Sequence, residues 1–285
     1  MSILTFNMSV ANKCAVSSNT DPFQIMPATT AYLTDNTISK YISATNKNIL
    51  LHMNYITRLF GDDSISNMSK VRGSLRQYVK LANKLGTTNI LIHTPSSTKE
   101  WNNLTNGMRI IHEELIKQNM KVHLEIPSWS KEFMLFMNPN LSLAKQESND
   151  PKGYLKEYFD RIVDFIKACP KDSMYLVMDT AHLFANGCDT KECFEFVFNE
   201  YAEYIRYVHL NGNINNKFKT DTHCPLFDTA NNKIKCWEDV ANICAKGNWI
   251  CVVEITKIGS SWKEWTKFAD RFGYRIVEYN EEYMI

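Results

Sequence analysis

Residues 174–189 read MYLVMDTAHLFANGCD. The first five residues form an apolar run typical of a buried strand, which stops at Asp179 and is followed by His182 within one helical turn. A carboxylate and an imidazole are costly to bury at the end of a strand without partners. The stretch therefore predicts a strand that carries chemically active side chains at its carboxyl end.

Seven other apolar runs resemble this one. In chain order the eight read ILTF, PFQIM, NILLH, NILIH, KVHLE, MYLVMD, YVHL and ICVVE. Stretches with apolar residues every three or four positions, such as PKGYLKEYFDRIVDFIKA, lie between most of them and are typical of amphipathic helices. Strands that alternate with helices indicate a parallel sheet covered by helices. Eight of them in 285 residues predict an α/β fold, a single (β/α)8 TIM barrel over residues 1–285.

A doubly wound sheet would show the same alternation, but the chain has no GxGxxG or GxxxxGK[ST] motif after its first strand. The polar segment ANKCAVSSNTD after that strand predicts an abbreviated first helix. Two long connections, residues 127–150 and 211–233, follow strands. In a barrel they would lie as loops on the face where the strands end.

The composition limits the class of protein. A formal net charge of +1 argues against a broadly basic surface, although a local basic cleft remains compatible with it. The eight cysteines form no Cys-x-x-Cys pair, which predicts reduced thiols rather than a disulfide scaffold. The sequence shows no basic leader and no apolar run of membrane-spanning length. We therefore expect a soluble intracellular protein, in the cytoplasm or nucleus, without a membrane partner.

Six of the predicted strands end in a His, Asp or Glu. These residues are His52, His93, Glu125, Asp179, His209 and Glu254. Three more candidates lie just beyond strand ends, namely His182, Asp221 and His223. The carboxyl ends of all strands in a parallel barrel open on one face, so the nine side chains are expected to converge.

Each of the nine residues taken alone has an ordinary structural explanation, since a carboxylate can cap a helix and a histidine can be a hydrogen-bonded core residue. The nine residues together have no such ordinary explanation, because several carboxylates confined in one pocket repel each other unless cations hold them. Mixed His and carboxylate ligands favour zinc or a similar transition metal over calcium or magnesium. Nine candidates exceed what one tetrahedral ion binds, so two or three ions are predicted. His112 and His123 are interpreted as structural or exposed, and Cys224 is not needed as a ligand because the histidines and carboxylates suffice.

These motifs resemble the endonuclease IV type of apurinic/apyrimidinic (AP) endonucleases, which belong to the xylose isomerase-like TIM barrels. The family box Asp-Thr-x-His-x-(Phe/Tyr)-(Ala/Ser)-x-Gly-x-Asp is similar to DTAHLFANGCD, residues 179–189. HLNG at 209–212 resembles the family box His-Leu-Asn-Asp, and DTH at 221–223 resembles the box Asp-Arg-His. The resemblance extends from about residue 48 to residue 256.

The resemblance implies three zinc ions, with manganese as an alternative at some positions. His52, His93 and Glu125 would bind one ion, and Glu125, Asp179, His209 and Glu254 a second. His182, Asp221 and His223 would bind the third. With Glu125, Asp179 and Glu254 as catalytic residues, the implied reaction is hydrolysis of the DNA backbone 5′ to an abasic site, a step of base excision repair. Activity as a 3′-phosphodiesterase or exonuclease is a further option.

The resemblance also implies contacts with double-stranded DNA. Tyr55 and Ile56 match two family residues that fill the gap left by the displaced abasic nucleotide. The segment PFQIMPATTAYL lacks the Arg with which family members enter the duplex. The segments IPSWSKEFMLFMNPN and CPLFDTANN also depart from the family pattern, and all three departures concern substrate-facing loops. A monomer is expected.

Two alternatives belong to other functional classes. A metal-dependent sugar isomerase or epimerase of the same superfamily needs only the quartet Glu125, Asp179, His209 and Glu254. A barrel that only binds DNA or serves as a scaffold needs none of the nine residues. The surplus histidines and Asp221 favour the nuclease over both.

Overall fold

The computed structural model describes residues 1–9, 24–26, 49–53, 59–61, 65–139, 151–254 and 262–276. All eight apolar runs contain strands. They are β1 (Ile3–Ser9), β2 (Gln24–Met26), β3 (Leu50–His52), β4 (Asn89–His93), β5 (Lys121–Glu125), β6 (Met174–Asp179), β7 (Ile205–His209) and, after a hairpin of β8 (Gly212–Asn213) and β9 (His223–Cys224), β10 (Ile250–Val253).

The eight strands close into a parallel barrel. Strands β1 to β7 pair in chain order, β7 pairs with β10, and β10 pairs with β1, with Ile250 opposite Ile3. A short last strand, β11 (Arg275–Ile276), also pairs with β1. The predicted (β/α)8 barrel is thus confirmed, and the carboxyl ends of its strands share one rim.

The helices lie mainly outside the barrel and include the predicted amphipathic stretch PKGYLKEYFDRIVDFIKA. They are α1 (Ile65–Leu85), α2 (Thr98–Asn102), α3 (Leu104–Glu114), α4 (Lys131–Met137), α5 (Pro151–Ala168), α6 (Thr180–Ala185), α7 (Lys191–Glu200), α8 (Trp237–Lys246) and α9 (Trp262–Phe272). In α5 the buried residues Leu155, Phe159 and Ile162 recur at helical spacing. Within the described residues, every helix is too short or too polar to cross a membrane.

The apolar side chains inside the barrel indicate the direction in which the polar strand ends face. A small apolar cluster separate from the main core contains Leu50, Leu91, Val177, Tyr207 and Val252. Each of these residues precedes a polar strand end by two positions. Because side chains alternate along a strand, the polar ends share the inward face, one layer closer to the rim.

The described parts of the two long connections contain regular elements that the sequence analysis did not predict. Helix α4 lies within residues 127–150, and its amino end is capped by Ser130, whose hydroxyl accepts from Phe133 N–H at 3.2 Å. The connection at 211–233 contains the β8–β9 hairpin. The segment for which a short first helix is expected, residues 11–21, lies outside the described residues.

Candidate metal centre

Six polar side chains lie at the mouth of the barrel. His52, His93, Glu125, Asp179 and His209 are the last residues of their strands, and Glu254 directly follows β10. Four of the six are completely buried, namely His52, Glu125, Asp179 and His209. Their convergence is what a parallel barrel imposes on residues at its strand ends.

Glu125 is the hub of these contacts. Its Oε2 lies 3.1 Å from His52 Nε2 and 3.0 Å from His93 Nε2. Its Oε1 lies 3.0 Å from His209 Nδ1 and 3.3 Å from His182 Nδ1. One buried carboxylate therefore contacts four imidazoles, which suits a residue that bridges two sites.

The two carboxylate oxygens of Asp179 have different partners. Oδ1 accepts hydrogen bonds from the backbone N–H groups of Ala181 at 2.7 Å and His182 at 3.0 Å, and so caps the amino end of α6. Oδ2 lies 3.6 Å from His209 Nδ1 and 3.7 Å from His223 Nε2. The cap starts a helix directly after the strand and places His182 one turn beyond it, while Oδ2 faces the other histidines.

The β8–β9 hairpin brings Asp221 and His223 back to the barrel mouth. The loop between its strands is held by Asn213 Oδ1, which accepts from Thr222 N–H at 3.2 Å. Asp221 Oδ2 lies 2.7 Å from His223 Nε2 and 3.3 Å from His182 Nε2. The hairpin thus completes a ligand set that the strand ends begin.

All nine predicted residues lie in one continuous set of contacts, which we call the mouth cluster: His52, His93, Glu125, Asp179, His182, His209, Asp221, His223 and Glu254. Among the described residues, three groups have ligand atoms within 4.8 Å of one another. The first group is His52, His93 and Glu125; the central group is Glu125, Asp179, His209 and Glu254; and the outer group is Asp179, His182 and His223. Glu125 and Asp179 each belong to two groups and link the three.

The outer group differs in one respect from the expected ligand set. The resemblance assigned Asp221 to it, whereas Asp179 is the carboxylate that meets the distance condition. Asp221 nevertheless contacts both histidines of the group. Both carboxylates therefore lie within reach of a cation between His182 and His223.

Burial and close contact set the protonation of the mouth cluster. Burial disfavours the ionised form of Glu125, but the imidazoles of His93 and His209 outweigh it and hold its pKa well below the usual range. Burial also opposes protonation of His182, yet Asp179 and other carboxylates raise its pKa to about 10. Glu125 is therefore ionised, and an arriving cation would compete with a proton for His182.

The mouth cluster fits bound cations. Within the described residues, the ion pairs of its four carboxylates are all with histidines and none is with Lys or Arg. Asp221 Oδ1 is buried and has no hydrogen-bond partner among the described groups, which is costly unless a ligand satisfies it. Carboxylate oxygens mixed with imidazole nitrogens suit zinc or a similar divalent transition metal.

Backbone carbonyl groups orient two of the histidines. His52 Nδ1–H donates to Met53 O at 2.8 Å, and His182 Nδ1–H donates to Ile126 O at 2.9 Å. A carbonyl oxygen can only accept, so Nδ1 of each ring keeps its proton when the ring is neutral, as it would be with a metal bound. The lone pair of Nε2 is left for a metal, as is usual for histidine ligands held by a second hydrogen bond.

Two buried amides support the central group and were missed by the sequence analysis. Gln24 contacts His209 and Glu254. Asn211 donates from Nδ2 to Asp179 Oδ2 at 2.9 Å, and its Oδ1 accepts from Glu254 N–H at 2.9 Å. The available sequence signal for Gln24 is its position as a polar residue inside the apolar run PFQIM.

A cavity of about 380 Å³ opens beside the mouth cluster at His93, His182 and Asp221. Its size is at the lower end of the range of small-ligand pockets. The apolar part of its wall consists of Met53, Leu59, Phe60, Ile92 and Pro127. Polar groups of Thr94, Ser96, Glu100, Ser128 and Thr220 complete it. The cavity is therefore suited to a ligand with both apolar and hydrogen-bonding surface next to the metal ligands.

The remaining candidates lie apart from these groups or outside the described residues. Tyr55 and Ile56, the expected DNA contacts, fall within residues 54–58, which the structure does not describe. His123 is buried in the barrel interior, where its Nε2 lies 3.1 Å from Asn89 Oδ1, as expected for a structural residue. Cys224 is buried beside His223 but belongs to none of the three groups.

Several solved structures have the same fold. Endonuclease IV from Thermus thermophilus is 15% identical, with 94% of this chain and 99% of that chain covered and a TM-score of 0.64. A D-tagatose 3-epimerase-like protein is also 15% identical, with coverages of 94% and 98% and a TM-score of 0.64. A xylose isomerase domain protein from Planctomyces limnophilus is 12% identical, with coverages of 95% and 98% and a TM-score of 0.60. At these identities the likeness shows the fold alone.

No curated protein sequence matches the chain significantly. The family model described as "Xylose isomerase-like TIM barrel" matches residues 19–256, which include all nine residues of the mouth cluster. With its closed parallel barrel and polar strand ends, the chain belongs to the xylose isomerase-like TIM barrel family.

Proposed function

We propose that the chain is a zinc-dependent AP endonuclease, which hydrolyses the phosphodiester bond 5′ to an abasic site in double-stranded DNA. The observation that carries this proposal is the surplus of ligands around the central group. A sugar isomerase or epimerase needs one such group, whereas here five further ligand-type side chains adjoin it: His52, His93, His182, Asp221 and His223. Burying them together is costly unless they bind something.

The three linked groups match the needs of phosphodiester hydrolysis. Divalent ions held there would supply Lewis acidity at the phosphate and lower the pKa of the attacking water. Glu125 and Asp179 each belong to two groups, so each would help to hold the ions of both. Glu254 completes the central group. We assign the catalytic roles to these three carboxylates.

Substrate binding is proposed for the rim beside the outer group. The cavity next to His182 and Asp221 would receive the abasic sugar once it is displaced from the duplex. Tyr55 and Ile56 are proposed to occupy the resulting gap in the DNA. Since the net charge is only +1, DNA affinity would come from local contacts of one monomer rather than from a basic surface.

A nicking assay tests the proposal. The purified protein, supplied with zinc, is expected to cut a duplex with one abasic-site analogue on the 5′ side of the lesion and to leave an undamaged duplex intact. Asp179→Asn and Glu254→Gln are expected to abolish cutting while preserving the fold. Glu113→Gln, which changes a carboxylate on the outer face of α3, is the matched control and should cut like wild type. A folded wild-type protein that binds zinc but leaves the abasic duplex uncut contradicts the nuclease.

The second candidate is a metal-dependent sugar isomerase or epimerase. The observation in its favour is the central group itself, because Glu125, Asp179, His209 and Glu254 form a complete site for one divalent ion near a cavity of about 380 Å³. Conversion of ketohexoses or aldoses by the metal-loaded protein, measured by chromatography, distinguishes the two candidates. Isomer formation without DNA cutting would favour this second function.

A further inference from the structure

The side chain of Gln24 on β2 contacts two members of the central group. Its Oε1 lies 2.8 Å from His209 Nε2, and its Nε2 donates to Glu254 Oε1. Gln24 and His209 are both completely buried, and Glu254 is nearly so, with 8% of its side chain exposed. Bulk water therefore competes poorly for these contacts.

The chemistry of the Glu254, Gln24 and His209 side chains fixes the direction of both hydrogen bonds. The ionised carboxylate of Glu254 can only accept, so the amide nitrogen of Gln24 must face it. The amide oxygen of Gln24 then faces His209, and this oxygen too can only accept. The Nε2 of His209 must therefore carry a proton, so that the lone pair lies on Nδ1 whenever the ring is neutral, as a metal ligand must be.

His209 Nδ1 faces three carboxylates, and contacts this short between acceptors need either a proton or a metal ion between them. Carboxylate oxygens of Glu125, Glu254 and Asp179 lie 3.0, 3.1 and 3.6 Å from Nδ1. His52 and His182 have the opposite arrangement, since each donates Nδ1–H to a backbone carbonyl. His209 thus differs from both in the nitrogen that it presents.

We propose that Gln24 is a positioning residue that selects Nδ1 of His209 as a metal ligand and holds Glu254 beside it. This inference rests on the metal centre of the proposed function but not on the reaction catalysed there. Partners that orient metal-binding histidines typically change metal affinity 10–100-fold when they are removed.

Asn211 makes the role of Gln24 specific to one part of the centre. A chain of hydrogen bonds runs from His209 through Gln24 to the carboxylate of Glu254, and from the backbone N–H of Glu254 through Asn211 to Asp179. Loss of Gln24 removes its hydrogen bonds to His209 and Glu254, while Asp179 keeps its hydrogen bond from Asn211. The central group should weaken, and the first and outer groups should keep their affinity.

Titration of zinc alone into chelator-treated protein tests the proposal. Gln24→Met has a similar length and lacks both polar contacts, so one of the zinc sites is expected to weaken about 10–100-fold while the others stay as in wild type. Nitrogen NMR of the zinc-loaded wild type is expected to show His209 with a metal-bound Nδ1 and a protonated Nε2. Gln24→Glu retains an acceptor for Nε2–H and is expected to preserve that pattern, which covers the case in which Gln24→Met does not fold.

Unchanged zinc affinity at every site of Gln24→Met, or coordination of His209 through Nε2 in the wild type, would overturn this assignment. If wild type binds zinc with the expected nitrogen pattern but does not cut DNA, only the nuclease proposal fails. If DNA is cut and Gln24→Met binds zinc like wild type, only the role of Gln24 fails. A wild type that binds no zinc contradicts both.

Discussion

Two clusters of charged residues in this chain are built in opposite ways. On the outside of the barrel, Glu113 and Glu114 of α3 pair with Arg72 and Arg76 of α1 and with Arg109. This helix cluster contains its own counter-charges. The mouth cluster gathers four carboxylates with five histidines and, within the described residues, has no Lys or Arg partner.

The difference indicates which cluster needs a ligand. In the helix cluster, hydrogen bonds from Arg76 and Arg72 hold the pKa of Glu114 below its usual value, so the ion pairs alone keep the acid ionised. Among the described residues, the carboxylates of the mouth cluster have only histidines as possible cationic partners, and a divalent metal would displace any proton on a ring nitrogen that it binds. The helix cluster is therefore expected to contribute to stability, and the mouth cluster to binding and function.

The largest effect is expected for Glu125→Gln. The change removes a negative charge from the residue shared by the first and central groups, so zinc binding at both should be lost. Cutting of an abasic duplex should fall by about 1000-fold or more, since metal ions contribute several kcal/mol of transition-state stabilisation. Wild-type cutting and zinc content in this variant would contradict the bridging role.

Removal of metal should destabilise the protein as a whole. A ligand at 1000 times its dissociation constant stabilises the folded state by about 4 kcal/mol, and each kcal/mol is worth roughly 2 °C in a domain of this size. We expect a strong chelator to lower the thermal midpoint by several degrees and added zinc to restore it. Calorimetry that detects no change on chelation would argue against occupied sites.

Glu114→Gln should lower stability without touching function. Glu114 is 8% exposed and accepts from Arg76 Nε at 2.8 Å. The loss of one charged partner should reduce the free energy of unfolding by about 1–3 kcal/mol. Chemical denaturation measures the loss, and zinc content and cutting rate should stay at wild-type values.

The same residue gives a pH dependence with a definite sign. Because hydrogen bonds from Arg76 and Arg72 lower the pKa of folded Glu114, its contribution is present above the ordinary Glu pKa of about 4.5 and is lost as the pH falls through the lowered value. The stability difference between wild type and Glu114→Gln should therefore shrink below about pH 4.5. Unfolding curves of the two proteins with chelator present, at pH 6 and pH 4, would show it.

The smallest effect is expected for Arg109→Ala. Arg109 and Glu113 form an exposed pair one helical turn apart, with 3.0 Å between Nη1 and Oε1. Exposed pairs of this kind contribute about 0.3–0.5 kcal/mol, and salt screens them. Denaturation at low and high salt should show a small loss that high salt removes. A loss above 1 kcal/mol would mean that the helix cluster acts as one network.

Much of the site was predictable because the same geometric rule determines both the fold and the positions of the ligands. Strand ends of a parallel barrel meet at one rim, so apolar runs that stop at His52, His93 or Glu125 locate both the strands and the candidate ligands. Asp179 shows that the helix-cap interpretation and the ligand interpretation are compatible, since each uses a different oxygen.

The supporting residues were harder to predict for a physical reason. Gln24 and Asn211 act through neutral amide groups whose partners lie far away in the chain, 185 positions in the case of His209. Charge does not mark such residues, and for Gln24 the only signal was a polar residue inside the apolar run PFQIM. Helix α4 did carry local signals, the cap Ser130 and the acidic Glu132 in its first turn, but a long connection after a strand resembles a loop.

The number of divalent ions bound per chain tests the central claim most directly. Native mass spectrometry of the folded protein, prepared with zinc and freed of excess metal, should show about three ions, one for each linked group. A folded protein that retains a single ion would match the central group of a sugar isomerase instead. A folded protein that retains none would contradict the metal centre altogether.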